Sequence, residues 1–344
     1  MLMPGSIIPL HPVAFFVLTE RVKYGIALGQ IPAPEKDSLM IQVVEPRRAQ
    51  DGQTVDMVGI ITALDGDPLP ANAIACRLGS FDDVTALEAQ GASDTDLSDL
   101  ILGSKNQLHN NYQNFQRFLD SGGRIGVQHD PLLTGAYAIN PFLFQVEMWP
   151  MLVVKQGEVA VIKSYVGLST EDTSGADFKF GSLVRPGHRG IWREPLRTGK
   201  YALNPHCYQS EIVPTAILTL NWAEATSRAH SLDHQLQQIT AKSREGFVFQ
   251  IDLQVQIHIA DTKAPKVISM VGTIQNLVNE VLQAAVGNHF RDKLQSMPAV
   301  RFIETRQQVQ VEALEHIRGH LSQYQVETPG VYIQDVVLPQ EMVK

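Results

Sequence analysis

The spacing of hydrophobic and polar positions changes twice along the second half of this chain. From Phe247 to Ile259 (FVFQIDLQVQIHI) it alternates. Phe247, Phe249, Ile251, Leu253, Val255, Ile257 and Ile259 share one side, and Gln250, Asp252, Gln254, Gln256 and His258 the other. This predicts a long strand with one buried and one wet face in an antiparallel or mixed sheet. The spacing then lengthens: Ile274, Leu277, Val278, Val281, Leu282 and Ala285 recur at helical intervals and predict an amphipathic helix over 274–296. Met297-Pro298 interrupts it, and Pro298 suits the first turn of a second helix, where Val300, Ile303, Val311, Leu314, Ile317 and Leu321 mark an apolar stripe. Pro329-Gly330 then turns the chain into a closing strand, Val331 to Leu338, ended by Pro339. Before this region, Thr215 to Trp222 reads as a strand and Ala223 to Arg244 as a polar excursion.

The first half carries an internal repeat. Residues 123–150 (GRIGVQHDPLLTGAYAINPFLFQVEMWP) align without a gap to 187–214 (GHRGIWREPLRTGKYALNPHCYQSEIVP), at an offset of 187 − 123 = 64. Gly126/Gly190, Pro131/Pro195, Thr134/Thr198, Gly135/Gly199, Tyr137/Tyr201, Asn140/Asn204, Pro141/Pro205 and Glu147/Glu211 are identical pairs. Val58 to Gly66 similarly answers Val159 to Gly167, each a β-rich run ended by glycine. One unit is therefore used twice: a strand, an interruption, then a hairpin closed by Gly-x-Tyr-x-x-Asn-Pro. The glycines permit turn geometry, the tyrosines cover the start of the strand, and Asn-Pro stops it at a bend. Tyr137 and Tyr201 should occupy equivalent places. The second interruption is a short polar loop, Leu168 to Pro186. The first, 67–122, is longer: Ser80 to Gln90 reads as a capped helix ending at Gly91, Asp94 to Asp99 as an acidic linker, and Asn114 to Leu119 as a short helix. The expectation is a solvated decoration on the first unit.

These patterns, taken in order, resemble the SPFH (band-7) family of stomatins, prohibitins, flotillins and their bacterial relatives. Gly157-Glu158-Val159-Ala160-Val161 and Gly199-Lys200-Tyr201-Ala202-Leu203-Asn204-Pro205 match the family's opening strand and turn, with Thr198 where proline is common. The long strand, the NEVLQAAVGNHFRDKL and FIETRQQVQVEALEHI helices and the closing PGVYIQDVVLP strand follow. The resemblance spans roughly Val153 to Pro339. The upstream copy looks like the extra β unit of some flotillin-like members and of the major vault protein shoulder. It implies an α+β fold: tandem small β-rich units followed by an SPFH-type domain with a mixed or antiparallel sheet packed by amphipathic helices. The partition is an N-terminal segment 1–55, a first unit 56–150 with its insertion 67–122, a second unit 151–214 and a body 215–344. The implied function is a non-enzymatic scaffold, self-associating into rings or cages that organise membrane microdomains or enclose membrane proteases or channels. The alternative is a soluble vault-like shell or adaptor. Most relatives carry an N-terminal membrane anchor, for which this chain offers only Ile7 to Leu18, a buried strand or a segment inserted in one leaflet. Relatives also continue into a long coiled coil, expected here beyond Lys344.

Composition narrows the partners. A net charge of −8 argues against general nucleic-acid binding. No run reaches the roughly 18 apolar residues of a spanning helix, so membrane association is expected to be peripheral or through a segment not evident here, and the chain is otherwise cytoplasmic. Cys76 and Cys207 lack metal or redox spacing and read as reduced, partly buried thiols. His316 and His320, near Glu312 and Glu315, and His230 and His234, near Asp233, stand four apart without a third ligand or the metalloprotease Glu, and read as solvated faces. Gly122 to Gly126 reads as a hairpin element rather than a phosphate loop. Neither a catalytic residue nor a cofactor or metal site is expected. One local reversal of charge stands out: Arg185, Arg189, Arg193, Arg197 and Lys200 oppose Glu194 alone, with His188 and Trp192 between them. Three readings fit: contact with anionic headgroups with Trp192 at the interface, a seam between subunits, or a solvated hairpin.

Overall fold

A computed structural model describes residues 8–9, 17–18, 23–24, 41–223 and 230–338. The expectation for Ile7 to Leu18 falls mostly outside the described residues, as do Pro339 and part of the polar excursion before Arg244. In the first unit, β1 (Gln42–Val44) and β2 (Met57–Ala63) precede three helices: α1 (Asp82–Ala89), α2 (Asp94–Leu102) and α3 (Phe115–Asp120). Strands β3 (Gly126–Val127), β4 (Gly135–Tyr137) and β5 (Phe144–Pro150) complete it. The second unit contains β6 (Leu152–Val154), β7 (Glu158–Ser164), β8 (Gly190–Ile191), β9 (Gly199–Tyr201) and β10 (Tyr208–Pro214).

The duplication extends to individual backbone pairings. Strand β2 lies between β3 and β5, and β7 between β8 and β10. Met57↔Pro150 through Ala63↔Phe144 answers Glu158↔Pro214 through Ser164↔Tyr208. Gly126 and Gly190 sit at the same point with φ of 104° and 134°, a region that glycine occupies without steric cost. The glycine of Gly-x-Tyr has a different role. Gly135 and Gly199 do not carry a positive φ; instead each is overlain by its own tyrosine, and a Cβ would meet the Tyr137 hydroxyl oxygen at 2.8 Å or the Tyr201 ring at 3.2 Å. Tyr137 and Tyr201 then donate equivalent hydrogen bonds, to the carbonyls of Leu133 and Arg197. Asn140 and Asn204 each accept from the backbone N–H two residues on, making the bend around the following proline. Because β1 pairs with β4 as β6 pairs with β9, the first unit reaches back to residue 42.

The insertion differs from its expectation. Asp94–Leu102 is a helix, not a linker: the Ser93 hydroxyl accepts from the Asp96 amide and the Asp96 carboxylate accepts from that of Ser93. The α1 helix begins at Asp82 without a side-chain cap, and Ser80 lies outside it. Nor is the insertion a solvated decoration. Val84, Leu97 and Ile101 are buried in one cluster with Ala160, Ile162, Trp192 and Cys207 of the second unit, while Tyr112 and Phe118 enter the first unit's own core.

The body is an antiparallel sheet around β13 (Val248–His258). Strands β11 (Leu218–Trp222) and β12 (Ile239–Lys242) share one edge of it, and β14 (Glu327–Val337) lines the other. Phe249, Ile251, Leu253, Val255 and Ile257 are buried as the alternation predicts. Pro329-Gly330 lies inside β14 rather than before it. The register slips between Gln256↔Gly330 and His258↔Glu327, and this bulge accommodates a proline that has no N–H to donate. The apolar face of the sheet is covered by α4 (Ala264–Val271) and by α5, a continuous helix through Ile274–Asn276, a π-helical stretch Leu277–Leu282, and Gln283–Gln295. Two further helices, α6 (Ala299–Glu304) and α7 (Arg306–Ser322), follow, with Pro298 just before α6.

Candidate functional site

The basic hairpin of the second unit is divided: Trp192 turns inward and Arg185 is half-buried, whereas Arg189, Arg197 and Lys200 are exposed. Trp192 is fully buried in the second unit's core, with Tyr208 edge-on to it at 5.6 Å between ring centroids. It therefore cannot sit at a membrane interface. Arg185 donates from Nε to Asp94 Oδ1 at 2.8 Å and from an Nη to the Ala92 carbonyl at 2.6 Å. Arg193 holds both oxygens of the same carboxylate, with Nη2–Oδ1 at 2.9 Å. Burial opposes ionisation of Asp94, but hydrogen bonds first from Arg193 and then from Arg185 outweigh it and hold the carboxyl below its ordinary range. Arg197 pairs with Glu194 and, at 3.3 Å, with Asp261; Lys200 pairs with Asp56 of the first unit. Of the five basic residues, Arg189, which is exposed, makes no ion pair among the described residues.

The acidic start of α2, in the same chain, thus supplies the counter-charge to Arg185 and Arg193. The tie is strengthened by His188, which reaches Glu88 of α1 at 2.9 Å. It continues through the Asn204 side-chain amide, which donates to the Gln128 carbonyl at 2.7 Å.

A second junction was not anticipated. His129 lies 2.6 Å from Asp130 through Nδ1 and 2.7 Å from the Tyr208 hydroxyl through Nε2, and all three side chains are buried. Burial would raise the Asp130 carboxyl, yet the His129 hydrogen bond and charge, with the Lys105 amide, hold it below the ordinary range. His129 thus bridges the Asp130 carboxylate, through Nδ1, and the Tyr208 hydroxyl, through Nε2, and burial keeps the phenol protonated by pushing its pKa well above the ordinary value. A phenol retained in this way serves as a tie rather than as an acid or base. The signal was in the repeat: His129-Asp130 stands where the second copy has Arg193-Glu194, a basic–acidic pair before a shared proline. Both pairs join elements across the unit boundary.

Other candidates resolve as structural. Cys76 and Cys207 are free and buried, and burial pushes the Cys207 thiol up to about 12. Among the described residues no group of three or more His, Cys, Asp and Glu is placed to hold a metal. His316 stacks on His289 with ring centroids 4.5 Å apart, and His230 contacts the Thr219 carbonyl. No helix among the described residues is long and apolar enough to cross a membrane.

A cleft of about 600 Å³ opens where the two units meet. The first unit contributes residues from Leu69 to Phe81 and Gly122 with Arg124; the second contributes Tyr165 to Gly167 and Arg189. At its edge Asp83 binds Arg77 through two hydrogen bonds and Lys105 at 3.0 Å. Burial opposes ionisation there as well, and the two cations bring the carboxyl down to about 2.

Comparison with curated proteins finds no match to the chain. A family model described as "SPFH domain / Band 7 family" matches residues 152–344, beginning at β6 and running through the second unit and the body. With the antiparallel β13 sheet and its helical cover, this match shows that the chain belongs to the SPFH/band-7 family.

Proposed function

We propose that the chain is a non-enzymatic scaffold that self-associates side by side into rings or cages at a membrane surface, where it organises membrane microdomains or encloses a membrane protease or channel. The observation carrying this reading is the family match over 152–344, since the family is scaffold-like and membrane-associated. The chain's own build supports it. Two modules of matching register are tied to each other by buried polar links, and Val159, Val161 and Val213 of the second pack into the core of the body. Outside the core, Val300, Ile303 and Val311 are exposed at 58%, 42% and 55% on the body helices, apolar surface that a second copy would cover. The first unit, duplicating the start of the matched region, favours a second reading: a vault-like shell or adaptor that assembles without lipid.

Light scattering with and without phosphatidylserine vesicles, together with vesicle flotation, separates the two. The membrane scaffold should float and form particles many times the 38.1 kDa of one chain. Particles that never float favour the shell. A monomer in both conditions sinks both readings. Val311→Asp should disperse the particles while leaving the fold intact, because that side chain is not part of the core.

A further inference from the structure

The cleft between the units is lined by three arginines and by no carboxylate, in a chain whose net charge is −8. Arg77 is its floor. It is 6% exposed, neutralised by Asp83, and its guanidinium lies over the Phe81 ring at 5.0 Å. Arg124 and Arg189 come from opposite units, and neither makes an ion pair among the described residues; Arg124 donates only to the Pro68 carbonyl, at 2.9 Å. Two arginines without an ion pair, lining one cavity, constitute an unmet demand for anionic charge. The remaining wall is apolar at the mouth: Ile74 is 51% exposed and Tyr165 is 44% exposed. The volume suits a small organic molecule rather than a macromolecular chain.

We propose that this cleft binds a phosphate-headed amphiphile. Arg124 and Arg189 hold the dianionic head, Arg77, paired with Asp83, forms the floor, and the apolar portion rests against Ile74, Phe81 and Tyr165. A phosphomonoester matches the two free charges and the forked donors of arginine. The inference goes beyond the scaffold reading, because a free amphiphile fills the cleft as well as a headgroup still seated in a bilayer. As both units line the site, occupancy also bridges them.

The test is calorimetric titration of the full chain with dihexanoyl phosphatidic acid, inorganic phosphate and dihexanoyl phosphatidylcholine. Phosphatidic acid should bind at least about tenfold more tightly than either of the others. The double variant Arg124→Gln/Arg189→Gln should weaken it about tenfold or more, whereas Arg301→Gln, the same kind of charge loss on the body, should not. Ile74→Ser, an uncharged change at an exposed position that folding does not need, should weaken phosphatidic acid and leave phosphate unchanged. Equal affinity for phosphate would overturn the amphiphile, and equal affinity for phosphatidylcholine or in the double variant would overturn the arginine site. Competition by vesicles containing long-chain phosphatidic acid assigns the head to a bilayer, and absence of competition to a free amphiphile; either outcome supports the site. A chain that floats on no vesicle yet binds the short-chain lipid would sink the membrane scaffold and leave this inference standing.

Discussion

Asp94 shows how one residue can reverse the meaning of a motif. Five cations against one acid in a local window read as a surface seeking an anion, but the acid that meets Arg185 and Arg193 lies 91 and 99 residues away in sequence and adjacent in space. Arg185 and Arg193 converge on its carboxylate, which is largely buried. Asp94→Ala should cost about 1–3 kcal/mol in chemical denaturation, because it strands two partly buried guanidiniums. Its pH dependence follows from sign. The folded carboxyl titrates below its ordinary value, so its contribution is fully present above the unfolded carboxylate pKa, roughly 4, and is lost as pH falls through the lower folded value. The variant should therefore lose less stability than the wild type between pH 5 and pH 3, measured as the shift in denaturation midpoint. Parallel midpoints would place the clamp's effect elsewhere. Arg193→Glu, which would otherwise test a surface patch, should act first on folding. Trp192 was misread for a related reason: an aromatic between arginines looks interfacial, and only the pairing of β7 with β8, extended by the Trp192 amide to the Ile162 carbonyl, shows it closing the second unit's core.

At the scale of elements, strands were easier to read than helices. The alternation from Phe247 to Ile259 survives intact because a period of two tolerates no slip without moving every side chain to the other face. Leu253→Asp should thus cost several kcal/mol and lower the melting temperature by many degrees, since it places an unpaired charge in the core; an unchanged melt would contradict the assignment. Helix periodicity drifted. In α5 the π-helical stretch inserts one residue's worth of rotation, so burial runs through Ile274, Leu277, Val278, Leu282, Val286, Phe290 and Leu294, leaving Val281 and Ala285 partly exposed. In the next segment Thr305 breaks the expected helix into α6 and α7. The buried stripe becomes Ala299, Phe302, Val309, Ala313, Ile317 and Leu321, not the one through Val300, Ile303 and Val311. The correction is directly testable in the monomer under dissociating conditions. Val309→Asp should destabilise by about 3 kcal/mol or more, and Val311→Asp by no more than about 0.5 kcal/mol. The reverse order would restore the sequence-based phase.

The whole molecule is held by the part that looked least structural. The repeat was legible because its glycines, tyrosines and Asn-Pro bends recur at a fixed offset, and the family resemblance because its motifs kept their order. The insertion was not: residues 94–99 are acidic and carry a serine, features shared by linkers and by a capped helix whose buried face is Leu97, Ser98 and Ile101. No local pattern could reveal that this face belongs to the core of the second unit. Its position nevertheless sets how the chain should unfold. Leu97 and Val84 are fully buried against Trp192 and Ile162, Asp94 clamps two arginines, and His129 reaches Tyr208. These links couple the units into one cooperative block, so calorimetry on the full chain should show a single transition for both rather than one each. Leu97→Asp would break that block from the first unit's side. It puts an unpaired charge into the second unit's core while leaving every backbone pairing within that unit intact. The expected result is a lower melting temperature with protease sensitivity rising in both 82–102 and 158–214. Leu64→Asp, at a position 40% exposed, should change neither. If Leu97→Asp instead loosened only residues 82–102 while the second unit melted as before, the two modules would be independently stable and the insertion no more than an appendage.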